Sequence, residues 1–189
     1  ENFEKLKKLK KKYDNLRIIN YAVSNKKEKE KKVLFQPFYK KFHLSPFDSL
    51  NIKDVYKSMN FSLFIKNIEK KIHIKKSYVK TNKVDNFNLK PCFIKIDIQG
   101  HEYNCLLGSL KTIKKNLPII MMEYDLKQNK KIYKVLKKIN YKKFFFRSKN
   151  GFLKEHKNER IFNIFYIHKK TLKIINSEIN IKYNDNNKT

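Results

Sequence analysis

The feature that most constrains this chain is the run Cys92-Phe-Ile-Lys-Ile-Asp-Ile98, apolar at nearly every position and then broken by Gly100. A strand with one wet face alternates apolar and polar residues. A nearly continuous apolar run belongs instead to a strand covered on both faces, as in a parallel sheet. Downstream, Tyr103, Leu106, Leu107, Leu110 and Ile113 recur at i, i+3, i+4, i+7 and i+10, which is one face of a helix beginning at Glu102. Pro118-Ile-Ile-Met-Met-Glu-Tyr124 is the next buried strand, its proline at the first position, where a missing donor does least harm. Ile132, Val135, Leu136 and Ile139 mark a second helix face. Strand, helix, strand, helix in this order predicts an α/β protein with a doubly wound sheet.

Around this centre the pattern is less regular. Phe3, Leu6, Leu9 and Tyr13 lie close to helical spacing among lysines and predict an amphipathic helix packed on one side. Residues 16–23 are β-branched and end in Ser24-Asn25, a strand followed by a turn signal. Residues 33–37 read as another short strand, an edge one because Pro37 cannot donate to a ladder. Residues 38–72 hold aromatic and Ser/Pro-rich segments with one weak helical stretch at 61–71, and a long irregular insert of this kind suggests a lid. Residues 72–79 look extended. Residues 141–147 and 161–168 read as two strands joined through Asn150-Gly151 and a charged turn, an antiparallel pair at the sheet edge. A polar tail is expected from residue 171, disordered in its Asn-rich part from Ile181.

With 189 residues, 40% hydrophobic and 14% aromatic, the chain can close one core, which argues for a single domain over residues 1–170. The net charge of +29 would ordinarily point to phosphate partners. Here lysine is spread over every segment, and arginine, the residue suited to bidentate phosphate or guanine contacts, occurs only at Arg17, Arg147 and Arg160. Nucleic acid is therefore disfavoured as a partner. Cys92 and Cys105 form neither a disulfide framework nor a metal-binding pair, so a reducing cytoplasm is the default expectation. No apolar stretch approaches the ~20 residues that span a bilayer, and no signal-peptide pattern opens the sequence. The first residue is Glu rather than Met, which suggests that the sequence begins partway through a longer product.

In open α/β sheets ligands collect at the carboxyl ends of the strands. Asp97 and Glu123 stand at the ends of two consecutive buried strands and share one crevice if those strands are neighbours. Asp97, Gln99, His101 and Glu102 crowd around Gly100, which permits positive φ or close backbone approach. Glu102 also suits the positive end of a helix dipole, so an alternative reading has Asp97 and Glu102 only ending a strand and capping a helix. His101 reads equally as a surface or capping histidine.

The segment Phe93-Ile-Lys-Ile-Asp-Ile-Gln-Gly-His-Glu-Tyr-Asn-Cys-Leu-Leu-Gly-Ser-Leu110, followed by Leu117-Pro-Ile-Ile-Met-Met-Glu123, resembles the central signature of the FkbM family of methyltransferases. Asn82-Lys-Val-Asp85 resembles the family's Thr-Leu-Asp segment, Ile164-Phe-Tyr-Ile167 its last strand, and Ile19-Asn-Tyr-Ala-Val-Ser24 its third. The resemblance implies a Rossmann-like class I methyltransferase sheet of order 3-2-1-4-5-7-6, with helices on both faces and a C-terminal antiparallel strand pair. It implies S-adenosylmethionine as cofactor and a small-molecule or glycan hydroxyl as acceptor. Asp97 is then the first candidate for general base or for orienting the acceptor, with Glu102, His101 and Glu123 as second choices, and Tyr21, Ala22 and Asp97 lie near the cofactor. A divalent metal held by Asp97, Glu123 or His101 would do the same work, though no ligand spacing demands one.

One departure stands out. The family's Gly-rich turn after the first strand is absent, since the glycines are Gly100, Gly108 and Gly151. The sheet is thus expected to lack its first two strands, leaving the Cys92–Ile98 edge open. An inactive methyltransferase remnant and a basic nucleic-acid-binding protein remain as alternatives.

Overall fold

The computed structural model describes residues 2–26, 32–63, 70–98, 100–147, 152–157 and 161–179. Among these the strands form three sheets. The largest has five strands: β6 (Phe93–Ile96), β7 (Ile119–Glu123), β8 (Tyr141–Arg147), β9 (Phe152–Glu155) and β10 (Asn163–His168), in the order β6-β7-β10-β8-β9. β6 and β7 are parallel neighbours, with Ile94 opposite Ile120 and Ile96 opposite Met122. All other pairings in this sheet are antiparallel.

The expected C-terminal antiparallel pair forms, but it does not stand at the edge of the sheet. Residues 141–147 and 163–168 do pair, Phe165 facing Phe144, but β9 intervenes in sequence and takes the outer edge. β10 runs between β7 and β8 instead, which places Ile164, Tyr166 and Ile167 in the core, each 0% exposed. A strand buried in the interior can be as apolar as the Ile164–Ile167 run is; an edge strand of that composition would invite aggregation.

One face of this sheet is covered by α3 (Glu102–Leu107), α4 (Leu110–Asn116) and α5 (Leu126–Lys137). Leu106, Ile113, Ile132 and Leu136 from these helices meet Ile96, Ile120, Met122 and Tyr166 in one core. The single helix expected after Gly100 is two, broken at Gly108 and Ser109. Asp85 caps the second piece: the N–H groups of Lys111 and Thr112 donate to its carboxylate at 3.1 and 2.8 Å. α4 ends on Leu117, which is left-handed and donates its N–H to the Ile113 carbonyl, the helix stopping before Pro118.

The remaining strands are apart from this sheet. β1 (Ala22–Val23) pairs in parallel with β5 (Thr81–Asn82), so of the strand expected over 16–23 only the last two residues find a partner. β2 (Lys32–Tyr39), β3 (Phe42–His43) and β4 (Ile72–Val79) form a three-stranded sheet in the order β3-β2-β4. β2 is therefore central, not an edge. Pro37 is tolerated because its carbonyl accepts from the Leu44 N–H on the β3 side, and β3, two residues long, stops short of it. One face of this small sheet is covered by α2 (Ile52–Leu63), whose Val55 and Met59 are fully buried against Phe35, Ile72 and Ile74. The helical stretch expected at 61–71 thus lies earlier, and residues 64–69 fall outside the described residues.

α1 (Asn2–Lys12) forms where expected, yet Leu6, Leu9 and Tyr13 are exposed rather than packed. At the other end α6 (Lys169–Ile179) carries the helix past residue 171, where a polar tail was expected; the Asn-rich part lies outside the described residues. Among the described residues no helix is long and apolar enough to cross a membrane.

Candidate functional site at the carboxyl ends of the parallel strands

The turn from β6 to α3 is held by Glu102. This residue is 6% exposed, and its Oε1 accepts from the N–H of Gly100 at 3.0 Å and of Ile98 at 3.3 Å. Its Oε2 accepts from Gln128 Nε2 at 2.8 Å, and Gln128 in turn donates its N–H to Asp125, the residue capping α5. A carboxylate whose two oxygens are engaged by backbone and amide donors fixes a loop; it has little left for a substrate proton. Gly100 has φ +98°, the left-handed region that favours glycine.

Asp97 and Glu123 are brought together. They follow the paired residues Ile96 and Met122 on adjacent parallel strands, so both carboxylates emerge from the same edge of the sheet. Lys95 Nζ lies 2.9 Å from Asp97 Oδ2, an exposed ion pair. Glu123 titrates above the ordinary carboxylate range, first because it is partly desolvated and then because Asp97, Glu102 and Asp125 oppose its charge. Among the described residues no group of three or more His, Cys, Asp or Glu is placed to hold a metal ion.

His101 stands on the other side of the turn. Its Nδ1 is 3.3 Å from Asn104 Nδ2 and its Nε2 3.4 Å from Ser24 Oγ. With the amide nitrogen donating, Nδ1 is the acceptor and the ring proton sits on Nε2, toward Ser24. His101 lines a cleft of ≈ 360 Å³ together with Ser24, Asn25, Lys26, Lys32, Leu50, Asn51, Asp54, Thr81, Gly100 and Asn104. Asp97, Glu102, Glu123, Tyr21 and Ala22 are not part of that lining. Tyr21 lies beside β1 with its ring 5.9 Å from that of Phe87, and the Ala22 N–H donates to the Lys80 carbonyl.

Several cleft residues escaped the sequence reading. Asp54 comes from the insert, on α2, and its carboxylate faces Gly100 so closely that a Cβ there would stand 2.9 Å from Oδ2. A local signal existed: Asn51 followed three residues later by Asp54 is a helix-start pattern, and Asn51 Oδ1 does accept from the Lys53 N–H at 3.0 Å. Its approach to residue 100 depends on long-range packing. Ser24 and Thr81 reach the cleft through the β1–β5 pairing.

The sequence matches the methyltransferase FkbM domain family over residues 1–143. The chain belongs to the FkbM methyltransferase family. Asp97, Glu102, Gly108 and Glu123 of the family-like signature all fall within that span, in an α/β fold of the Rossmann-like kind. Among solved structures, a methyltransferase FkbM from Methylobacillus flagellatus KT is similar at 20% identity with a TM-score of 0.34. The likeness covers 48% of this FkbM chain and 24% of that one, well under half the length of the solved protein. No curated protein matches the sequence.

Proposed function

We propose that this chain takes part in S-adenosylmethionine-dependent methyl transfer to a hydroxyl of a small molecule or glycan. The observation that carries the reading is the placement of Asp97 and Glu123 at the carboxyl ends of neighbouring parallel strands, beside the Gly100–His101 turn that walls the cleft. That is where an open α/β sheet binds its ligands.

The residues present fit one part of a cofactor site. Tyr21 and Ala22, with the Phe87 ring against Tyr21, would border the adenine, and the β6 turn would border the reacting end. The glycines of the sequence are Gly100, Gly108 and Gly151, none of them in a Gly-rich turn, so the described residues do not by themselves supply a close backbone approach to the rest of the cofactor. When bound, S-adenosylmethionine supplies an electrophilic methyl on a sulfonium.

In this reading Asp97 holds and then takes the proton of the acceptor hydroxyl, its carboxylate aimed by Lys95. His101, its ring proton toward Ser24, helps to orient the acceptor from the cleft wall instead of removing its proton. Glu102 keeps the turn in shape and acts through the backbone it holds. Glu123, its pKa raised by partial desolvation and then by the neighbouring carboxylate charges, retains a proton to higher pH than a free glutamate and limits repulsion at the strand ends.

The test is incubation of the full chain with methyl-tritiated cofactor and the small-molecule fraction of cells that make the protein. Label should enter base-stable ethers, and Asp97→Asn should lower that transfer by roughly 10²–10⁴-fold while binding S-adenosylhomocysteine as before. Label in base-labile esters, or transfer untouched by the substitution, would remove Asp97 from the mechanism. A second reading, a non-catalytic remnant, is favoured by the Lys95–Asp97 ion pair and the full engagement of Glu102; it is the result if no label is transferred at all.

A further inference from the structure

α2 faces two ways. Val55 and Met59, four residues apart, anchor it to the three-stranded sheet, while Asp54 and Lys57, three apart, lie against the strand-end loops of the main sheet. Asp54 meets Gly100, and Lys57 Nζ pairs with Asp125 Oδ2 at 3.3 Å. The insert is thereby seated over the carboxyl end of β6, and the cleft is the space left between them.

The lining of that space is polar almost throughout: Ser24 and Thr81 bring hydroxyls, Asn25, Asn51 and Asn104 amides, His101 an imidazole, Lys26 and Lys32 ammonium groups and Asp54 a carboxylate, while Leu50 is the one aliphatic side chain. Asp54 is half-buried, and its carboxylate has no hydrogen-bond or ion-pair partner among the described residues. An apolar ligand would strip water from these groups and return no hydrogen bond for it. A ligand with adjacent hydroxyls answers them all, because each hydroxyl donates and accepts.

We propose that this cleft is the subsite for a polyhydroxylated ring and that Asp54 grips it, its two carboxylate oxygens accepting from neighbouring hydroxyls. The volume, ≈ 360 Å³, is at the small end of ligand sites and suits one ring. The assignment of that ring as the methyl acceptor rests on the methyl-transfer reading above; its binding does not.

Saturation-transfer NMR on the full chain with methyl β-D-glucopyranoside, myo-inositol and, as the apolar contrast, cyclohexanol tests the proposal. Transfer to the two polyols and not to cyclohexanol is expected. Asp54→Asn, nearly isosteric, should weaken polyol binding by roughly tenfold or more, the loss of charge-assisted hydrogen bonds, and Asp54→Glu should restore part of it. Equal transfer to cyclohexanol, no transfer to either polyol, or polyol binding unchanged in Asp54→Asn with native amide spectra would overturn it. Calorimetry with S-adenosylhomocysteine on the same samples separates the two readings. Cofactor binding without polyol binding sinks the subsite alone; Asp54-dependent polyol binding without cofactor binding supports the subsite and sinks methyl transfer.

Discussion

A Cβ on Gly108 would stand 1.9 Å from the Ser24 carbonyl oxygen, far inside contact distance, and the obstacle is backbone that cannot swing away. The backbone at Gly108 is itself ordinary, φ −77° and ψ −1°, so alanine would fit the dihedrals and, by helix propensity alone, stabilise by up to about 1 kcal/mol. Sterics should reverse that sign. Gly108→Ala is expected to destabilise the chain by about 2 kcal/mol or more, read from denaturant midpoints; a stabilising result would mean that the 24–25 loop does not pack there. The glycine of the family-like Leu-x-Gly-Ser run thus has a physical reason, the passage of the β1 loop against the α3–α4 break. Glu123 makes a second residue-level prediction. Its folded pKa lies above the ordinary value of 4.5, so the native state holds the proton more tightly than the unfolded chain. Stability should therefore fall as pH rises from 4.5 through the raised folded pKa, and Glu123→Gln should stabilise the chain at neutral pH with the advantage vanishing below pH 4.5. A Gln advantage equal at both ends of a pH series of thermal melts would contradict it.

At the scale of elements, the segments legible in the sequence are those whose period is set by burial on one face or both. β6, β7, α5 and the helical face from 102 to 113 belong to one core, and their apolar residues sit where the spacing put them. What periodicity does not record is the helix break at Gly108, because the apolar stripe continues through it from Leu106 to Ile113. Nor does it record the insert. β2 hides a proline in a central strand by placing it beyond the end of a two-residue partner, and Asp54 reaches Gly100 through contacts no local window contains. Asp85 lies between these cases: the segment 82–85 was readable as family-like, but its work as a cap supplied from outside α4 was not. Asp85→Ala should cost about 1–2 kcal/mol through loss of two backbone acceptors, and Asp85→Asn less. If hydrogen exchange at Lys111 and Thr112 is unchanged in Asp85→Ala, that cap is not what holds the start of α4.

For the molecule as a whole, the five-stranded sheet holds the β6-β7-β10-β8 order that corresponds to 4-5-7-6 of the expected class I arrangement. β6 ends the sheet among the described strands, with Phe93 47% exposed, in keeping with the open edge expected from the sequence. Of the 46 lysines and arginines behind the charge of +29, Lys26 and Lys32 reach the cleft, beside the amides and hydroxyls that make up most of its lining. The central claim, that the cofactor lies along Tyr21, Ala22 and the Asp97 end of β6, beside the cleft, is tested most directly by ultraviolet cross-linking of methyl-labelled S-adenosylmethionine to the full chain, followed by peptide mapping. Label displaced by S-adenosylhomocysteine should appear in the peptides bearing Tyr21 and Asp97 to Asn104. Displaceable label confined to the three-stranded insert, or no displaceable label anywhere, would contradict it.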